Sequence, residues 1–292
     1  MKRYFTKTLT LLLMLTVLCS VIFAMSLTAN AASDYVTING IQIKDGQYLR
    51  ENDSATITTV PASGSDYAYY KSGVLTLNNF NITATNDFAV IYTSKDKLTI
   101  NLTGTNSINT SYGYAFRTNY DTILTFMGSG SLTVDCSANF AFACGHLGIG
   151  GGTLTVNAAG YAIKTSDYYQ SGGTVTLTSS KDYPALWVDG PADIEGGTLT
   201  VEASNCSFAA DVTENLTVSG GTVNIKPKTD MAGVAVGGTY TQTGGKVNLA
   251  TKGYAGIATT GTDKVTLTGG ELKATGNGIG LQTANASVEI GR

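Results

Sequence analysis

Histidine, tryptophan, proline and charge are all scarce in this 292-residue chain: one His, one Trp, four Pro and 13% charged residues. With His146 as the sole histidine, neither a multi-histidine metal centre nor a hydrolytic triad finds the partners it needs. The charges are scattered, 18 Lys and Arg against 21 Asp and Glu for a net −3. That balance excludes nucleic acid or an anionic membrane as a partner held by bulk charge. Cysteine is scarce too. Three follow the first apolar run, Cys136, Cys144 and Cys206, with no Cys-x-x-Cys pair. They read as small packing residues, an intra-coil bridge being the alternative. Beyond residue 31 no apolar stretch approaches the ~20 residues that span a bilayer, so no membrane insertion is expected of the mature chain.

What is present begins with Met1-Lys2-Arg3 and Lys7, an apolar run from Leu9 through Phe23, and Ala29-Asn30-Ala31. This is the order of a signal peptide over residues 1–31, which makes the mature chain secreted, extracellular or at the cell surface. Leu18 before Cys19 does not fit the small residue of a lipoprotein site.

Internal repetition then dominates. Gly-Gly followed by alternating Thr and aliphatic residues recurs at Gly151-Gly152-Thr153-Leu154-Thr155-Val156, Gly172 to Leu177, Gly196 to Val201, Gly220 to Ile225 and Gly244 to Leu249, and more loosely at Gly269 to Ala274. The first aliphatic residue of each strand gives nine markers: Ile82, Ile108, Leu132, Leu154, Val175, Leu199, Val223, Val247 and Leu272. Their spacing is about 24 residues. Within one period lie three short runs of strand character, as in Leu199-Thr200-Val201-Glu202, Phe208 to Val212 and Leu216-Thr217-Val218. Short strands with unpaired edges become stable when identical segments stack above and below at ~4.8 Å. The expected fold is all-β, a right-handed parallel β-helix of about nine coils over residues 74–292. Residues 32–73 are expected to form an N-terminal cap segment, and the C-terminal end reads as uncapped or truncated, with flanking modules missing.

Two ladders stand out as candidates for function. An aromatic precedes a small residue in Phe88-Ala89, Tyr114-Ala115, Phe140-Ala141, Tyr161-Ala162, Tyr183-Pro184 and Phe208-Ala209. Exposed, it would suit a sugar polymer running along the rod. Strict alternation from Arg117 and Lys164, both outward, instead turns Tyr114 and Tyr161 inward, so an internal stack is expected. Tyr168, Tyr169 and Trp187 are then the candidates for stacking on sugar rings. The second ladder is acidic, with Asp96, Asp121, Asp167, Asp189 and Asp211 each 12 to 14 residues after a marker. Stacked carboxylates repel unless bridged, and Asp167, Asp189 and Asp211 are the candidate Ca²⁺ ligands; turn formation by Asp is the other reading. For catalysis the best cluster is Arg117 with Asp96 and Asp121, as in a lyase that needs a basic side chain beside an acidic sugar, against a plainly solvated arginine. No organic cofactor is implied.

The run Gly73-Val74-Leu75-Thr76-Leu77-Asn78-Asn79-Phe80-Asn81-Ile82, then Leu98-Thr99-Ile100-Asn101-Leu102, Thr105-Asn106-Ser107-Ile108 and Gly128-Ser129-Gly130-Ser131-Leu132-Thr133-Val134, resembles a known family. It is similar to the secreted β-helix carbohydrate-binding domains of Gram-positive anaerobes, some attached to polysaccharide-degrading complexes. The resemblance implies non-catalytic attachment to an acidic plant polysaccharide such as pectin, assisted by calcium on coil turns. A pectin lyase or hydrolase, and a structural surface spacer or adhesin segment, are the alternatives.

Overall fold

The computed structural model describes residues 35–50, 57–58, 66–84, 88–228, 232–251, 255–261, 265–284 and 287–291. The expected signal peptide, residues 1–31, lies outside the described residues. Among the described residues every regular element is a β-strand, and the chain winds through three strand positions per turn as a parallel β-solenoid.

The first face is a sheet of nine parallel strands, from Asn81–Thr83 through Thr153–Ala158 to Glu271–Gly276. Each pairs with its counterpart one coil away. Leu132, Leu154, Val175, Leu199, Val223, Val247 and Leu272 form a single in-register ladder. The second face includes Ala89–Thr93, Tyr114–Thr118 and Leu186–Val188, and the third includes Val74–Asn78, Ile123–Gly128 and Ala192–Ile194. Phe140–Ile149 and Tyr161–Gln170 run straight through the corner between these two faces, paired with each other from Phe140↔Tyr161 to Ile149↔Gln170. Through them the second and third faces merge into one sheet of 22 strands.

Period-two alternation explains why these segments are strands. On the first face Leu154, Val156, Val175 and Leu177 are buried while Thr155 and Thr176 stay half-exposed. The inner ladders fill the solenoid, and at one level Phe116 stacks on Phe142 with ring centroids 4.6 Å apart and Phe126 against both. Fully burying each such side chain contributes about 1.5 to 3 kcal/mol.

The two glycines of each corner have different reasons. The second, Gly173, Gly197, Gly221, Gly245 or Gly270, takes a positive φ of 65 to 79°, which costs a residue with a Cβ. The first, such as Gly172, Gly196 or Gly220, lies so close to a carbonyl oxygen of the preceding coil that a Cβ would overlap it. Gly-Gly is therefore the sequence of a corner, not of a flexible link.

The spacing of markers needs one correction. Leu132 pairs with Asn106, not Ile108, so an asparagine takes the aliphatic place in that coil. Asn106 is fully buried. Its Oδ1 accepts from Phe80 N at 2.8 Å, and its Nδ2 donates to Thr103 O at 3.1 Å and Ser131 O at 2.9 Å, tying three successive coils.

At the N-terminal side the pairing turns antiparallel. Tyr35–Ile38 pairs with Ile41–Lys44 and lies along Ala89–Thr93, while Gln47–Arg50 and Tyr67–Lys71 pair in turn onto Val74–Asn78. These strands occupy backbone edges that the first coil would otherwise present to water. In the last described coil Ile279, Val288 and Ile290 are exposed.

Candidate functional site

The aromatic ladder lies outside, contrary to the expectation from alternation. Ala115, Ala141, Ala162 and Ala209 are wholly buried, whereas Tyr114, Phe140, Tyr161 and Phe208 are half-exposed and Phe88 is exposed. The reason is the corner: two consecutive residues, Ala115 and Phe116 or Ala141 and Phe142, both face the core where the chain turns onto the second face. A bend placed there breaks the alternation on which the inward assignment depended. The small residue fits inside the bend and the aromatic before it is turned out.

Outside, the rings form a continuous stripe along the solenoid. Tyr114 and Phe140 are 5.8 Å apart by centroid, Phe140 and Tyr161 are stacked at 5.0 Å, and Tyr161 meets Tyr183 at 4.8 Å and the edge of Trp187 at 5.7 Å. Beside it the outward ladder of the second face runs Tyr92, Arg117, Ala143, Lys164, Trp187, Asp211. The Arg117 guanidinium lies over the rings of Phe88 at 4.7 Å and Tyr114 at 5.0 Å, and the Lys164 ammonium lies over Trp187 at 5.3 Å. Stacking of this kind orients a guanidinium while leaving its N–H groups free to donate in the plane.

The other candidates separate. Tyr168 is 1% exposed and its hydroxyl donates to the buried Gln170 at 2.7 Å, so it is a core residue and offers no face to a sugar. The pair Tyr168 and Gln170 repeats as Tyr240 and Gln242, each ahead of a Gly-Gly corner, a pattern of buried polar groups that satisfy one another. Tyr169, its neighbour in the strand, is 42% exposed on the third face, and Trp187 is half-exposed on the second. Arg117, the candidate lyase base, lies over the rings of Phe88 and Tyr114.

Nor do the three aspartates converge. Asp167 is in register with His146 and accepts from, or donates to, its Nδ1 at 2.6 Å on the third face. Asp189 turns the other way, accepting from Trp187 Nε1 at 2.5 Å and pairing with Lys164 at 3.8 Å. Asp211 is in register with Trp187, and burial, then the charge of Asp189, raises its carboxyl above the usual carboxylate range. Equal offsets from a marker are not equal registers, because the turns between faces differ in length. Among the described residues no three His, Cys, Asp or Glu side chains are grouped to hold a metal ion. The three cysteines are free, so the intra-coil bridge is absent too.

The half-exposed rings and the two cations thus lie along one side of the solenoid. A family model described as "Carbohydrate-binding domain-containing protein" matches residues 65–277, more than two thirds of the chain. The chain belongs to this carbohydrate-binding family. Comparison with curated proteins and with solved structures finds no match. The matched span of the carbohydrate-binding domain contains the stripe from Tyr114 to Tyr183 together with Arg117 and Lys164.

Arg117 and Lys164 were legible as outward residues but not as partners of the ladder. Each lies three residues after its aromatic, in Tyr114-Ala115-Phe116-Arg117 and Tyr161-Ala162-Ile163-Lys164. That shared spacing is the signal in the sequence: once the corner is placed at the alanine, the cation and the ring emerge on the same side.

Proposed function

We propose that this domain is an exported, non-catalytic module that holds an acidic polysaccharide along its second face. The observation that carries the reading is the pair of cations held over aromatic rings, Arg117 over Phe88 and Tyr114, and Lys164, which also pairs with Asp189, over Trp187. Arg117 and Lys164 both flank Ala143 in register, which puts them two coils, roughly 10 Å, apart. Between them stands the small side chain of Ala143. Carboxylates on a sugar polymer would accept charge-assisted hydrogen bonds from both cations while ring C–H groups lie along the aromatic edges. Phe140 and Tyr161 are stacked on one another, so the stripe offers outer edges rather than free ring faces along that stretch. Affinity then comes from many modest contacts along a long polymer, as suits retention rather than chemistry. The signal-peptide pattern ahead of the domain supports action outside the cell.

Titration calorimetry with polygalacturonate, with product release followed in the same samples, tests the proposal. Arg117→Ala or Lys164→Ala is expected to weaken binding by about tenfold or more, the loss of one charge-assisted hydrogen bond. Since the aspartates do not converge, a chelator is expected to leave the affinity unchanged. Unsaturated or reducing-end products from the wild type would show an enzyme. Binding that is indifferent to both cations would remove the second face as the site.

A further inference from the structure

The third face carries a groove that the stripe does not explain. Its outward ladder runs Thr125, Gly148, Tyr169, Asp193. Three of these positions carry a side chain and Gly148 does not. The corner glycines are required, by positive φ or by a carbonyl in the way. Gly148 has neither reason: its φ is not positive, and an added Cβ would meet Thr125 Oγ1 at 3.5 Å and Cγ2 at 3.7 Å, an ordinary contact. Glycine in the interior of a strand weakens it relative to alanine, and where the backbone does not demand it, it marks close approach by something else.

The missing side chain opens a groove of about 660 Å³, within the roughly 300 to 1,000 Å³ of small-ligand sites. Ile123, Met127 and Tyr169, all exposed, line it. The Tyr169 ring is held from beyond the groove by its hydroxyl, which donates to Glu195 Oε2 at 2.6 Å. At the edges stand Asp193 and the Asp167–His146 pair. We infer that Gly148 is the floor of a second glycan subsite, built for uncharged pyranose units. The C–H face of a sugar ring lies on Tyr169 and Met127, over the bare glycine, and its hydroxyls donate to Asp167 and Asp193. Those carboxylates repel an acidic sugar, so this subsite takes a different class of glycan from the second face, and its existence is independent of the Arg117 and Lys164 reading.

Gly148→Thr would continue the threonine of the neighbouring coil and close the floor. The wild type is titrated with cellohexaose, xylohexaose and maltohexaose, and separately with polygalacturonate. At least one neutral hexasaccharide is expected to bind, and Gly148→Thr to weaken it by tenfold or more with an unchanged or raised Tm and unchanged polygalacturonate binding. Tyr169→Ala, a surface change, is expected to reduce the same binding. The inference is overturned if the wild type binds none of the three, if Gly148→Thr binds them as the wild type does, or if Gly148→Thr lowers Tm by several degrees, which would make the glycine a requirement of the fold.

Discussion

Phe140 and Phe142 are two residues apart in one strand, yet they have different tasks. Phe142 is 0% exposed and stacked between coils of the core; Phe140 is half-exposed in the outer stripe. Phe142→Ala is expected to cost about 3 to 5 kcal/mol, as for a large cavity in a packed interior. Phe140→Ala forfeits the ring contacts with Tyr114 and Tyr161, each worth about 0.5 to 1.5 kcal/mol, plus partial burial, but opens no enclosed cavity, so it should cost less. Urea unfolding of the two variants decides the matter, and equal losses would return Phe140 to the core. Asp211 supplies a test by pH. Burial and then Asp189 raise its carboxyl in the folded state, so the folded chain binds that proton more tightly than the unfolded one. The ionised group is therefore least favourable above its folded value, and stability recovers as pH falls towards the unfolded value. Asp211→Asn is expected to be at least as stable as the wild type at neutral pH, with the advantage shrinking as the wild-type carboxyl takes up its proton. Melting curves across the carboxylate range would show this; a variant less stable at neutral pH would contradict it.

Among the elements, the corners were the most legible and also the source of the errors. Gly-Gly every 24 residues or so marks the corners and first-face strands from Gly151 onward, where a close carbonyl and a positive φ fall on adjacent residues. The other corner, at Ala115 and Ala141, has no Gly-Gly pair: a single glycine precedes the aromatic at Gly113 and Gly160 and none does so at Phe140, so no constant signal marks the bend that turns the aromatics outward. Tyr168 and Tyr169 illustrate the same limit, because neighbouring tyrosines in a strand point opposite ways and only a correct register says which is buried. Register failed once more at Asn106, whose polar side chain hid its place in an aliphatic ladder. Asn106→Leu would match the leucine or valine of the later coils, and pattern alone would rank it as stabilising. It leaves Phe80 N without the acceptor it has now, while Thr103 O keeps Asn79 N at 3.3 Å. A buried polar group left unpaired costs about 1 to 3 kcal/mol, so Asn106→Leu is expected to destabilise by about that amount in chemical denaturation. A more stable variant would show that these bonds are dispensable.

For the molecule as a whole, stacking turns single residues into lines. Parallel pairing sets residues of the same register side by side in successive coils, as in Arg117, Ala143, Lys164 and Trp187. The second face presents rings with Arg117 and Lys164 over them and Asp189 and Asp211 further along; the third presents a carboxylate-edged groove. Under the two proposals the faces sort ligands by charge, negative charge on the sugar being what the second face recognises. Binding to polygalacturonate of increasing methyl esterification tests this most directly, because esterification removes charge while leaving the chain intact. Affinity is expected to fall steadily with esterification and to be lost in the fully esterified polymer; equal affinity for the charged and the fully esterified chains would contradict the account.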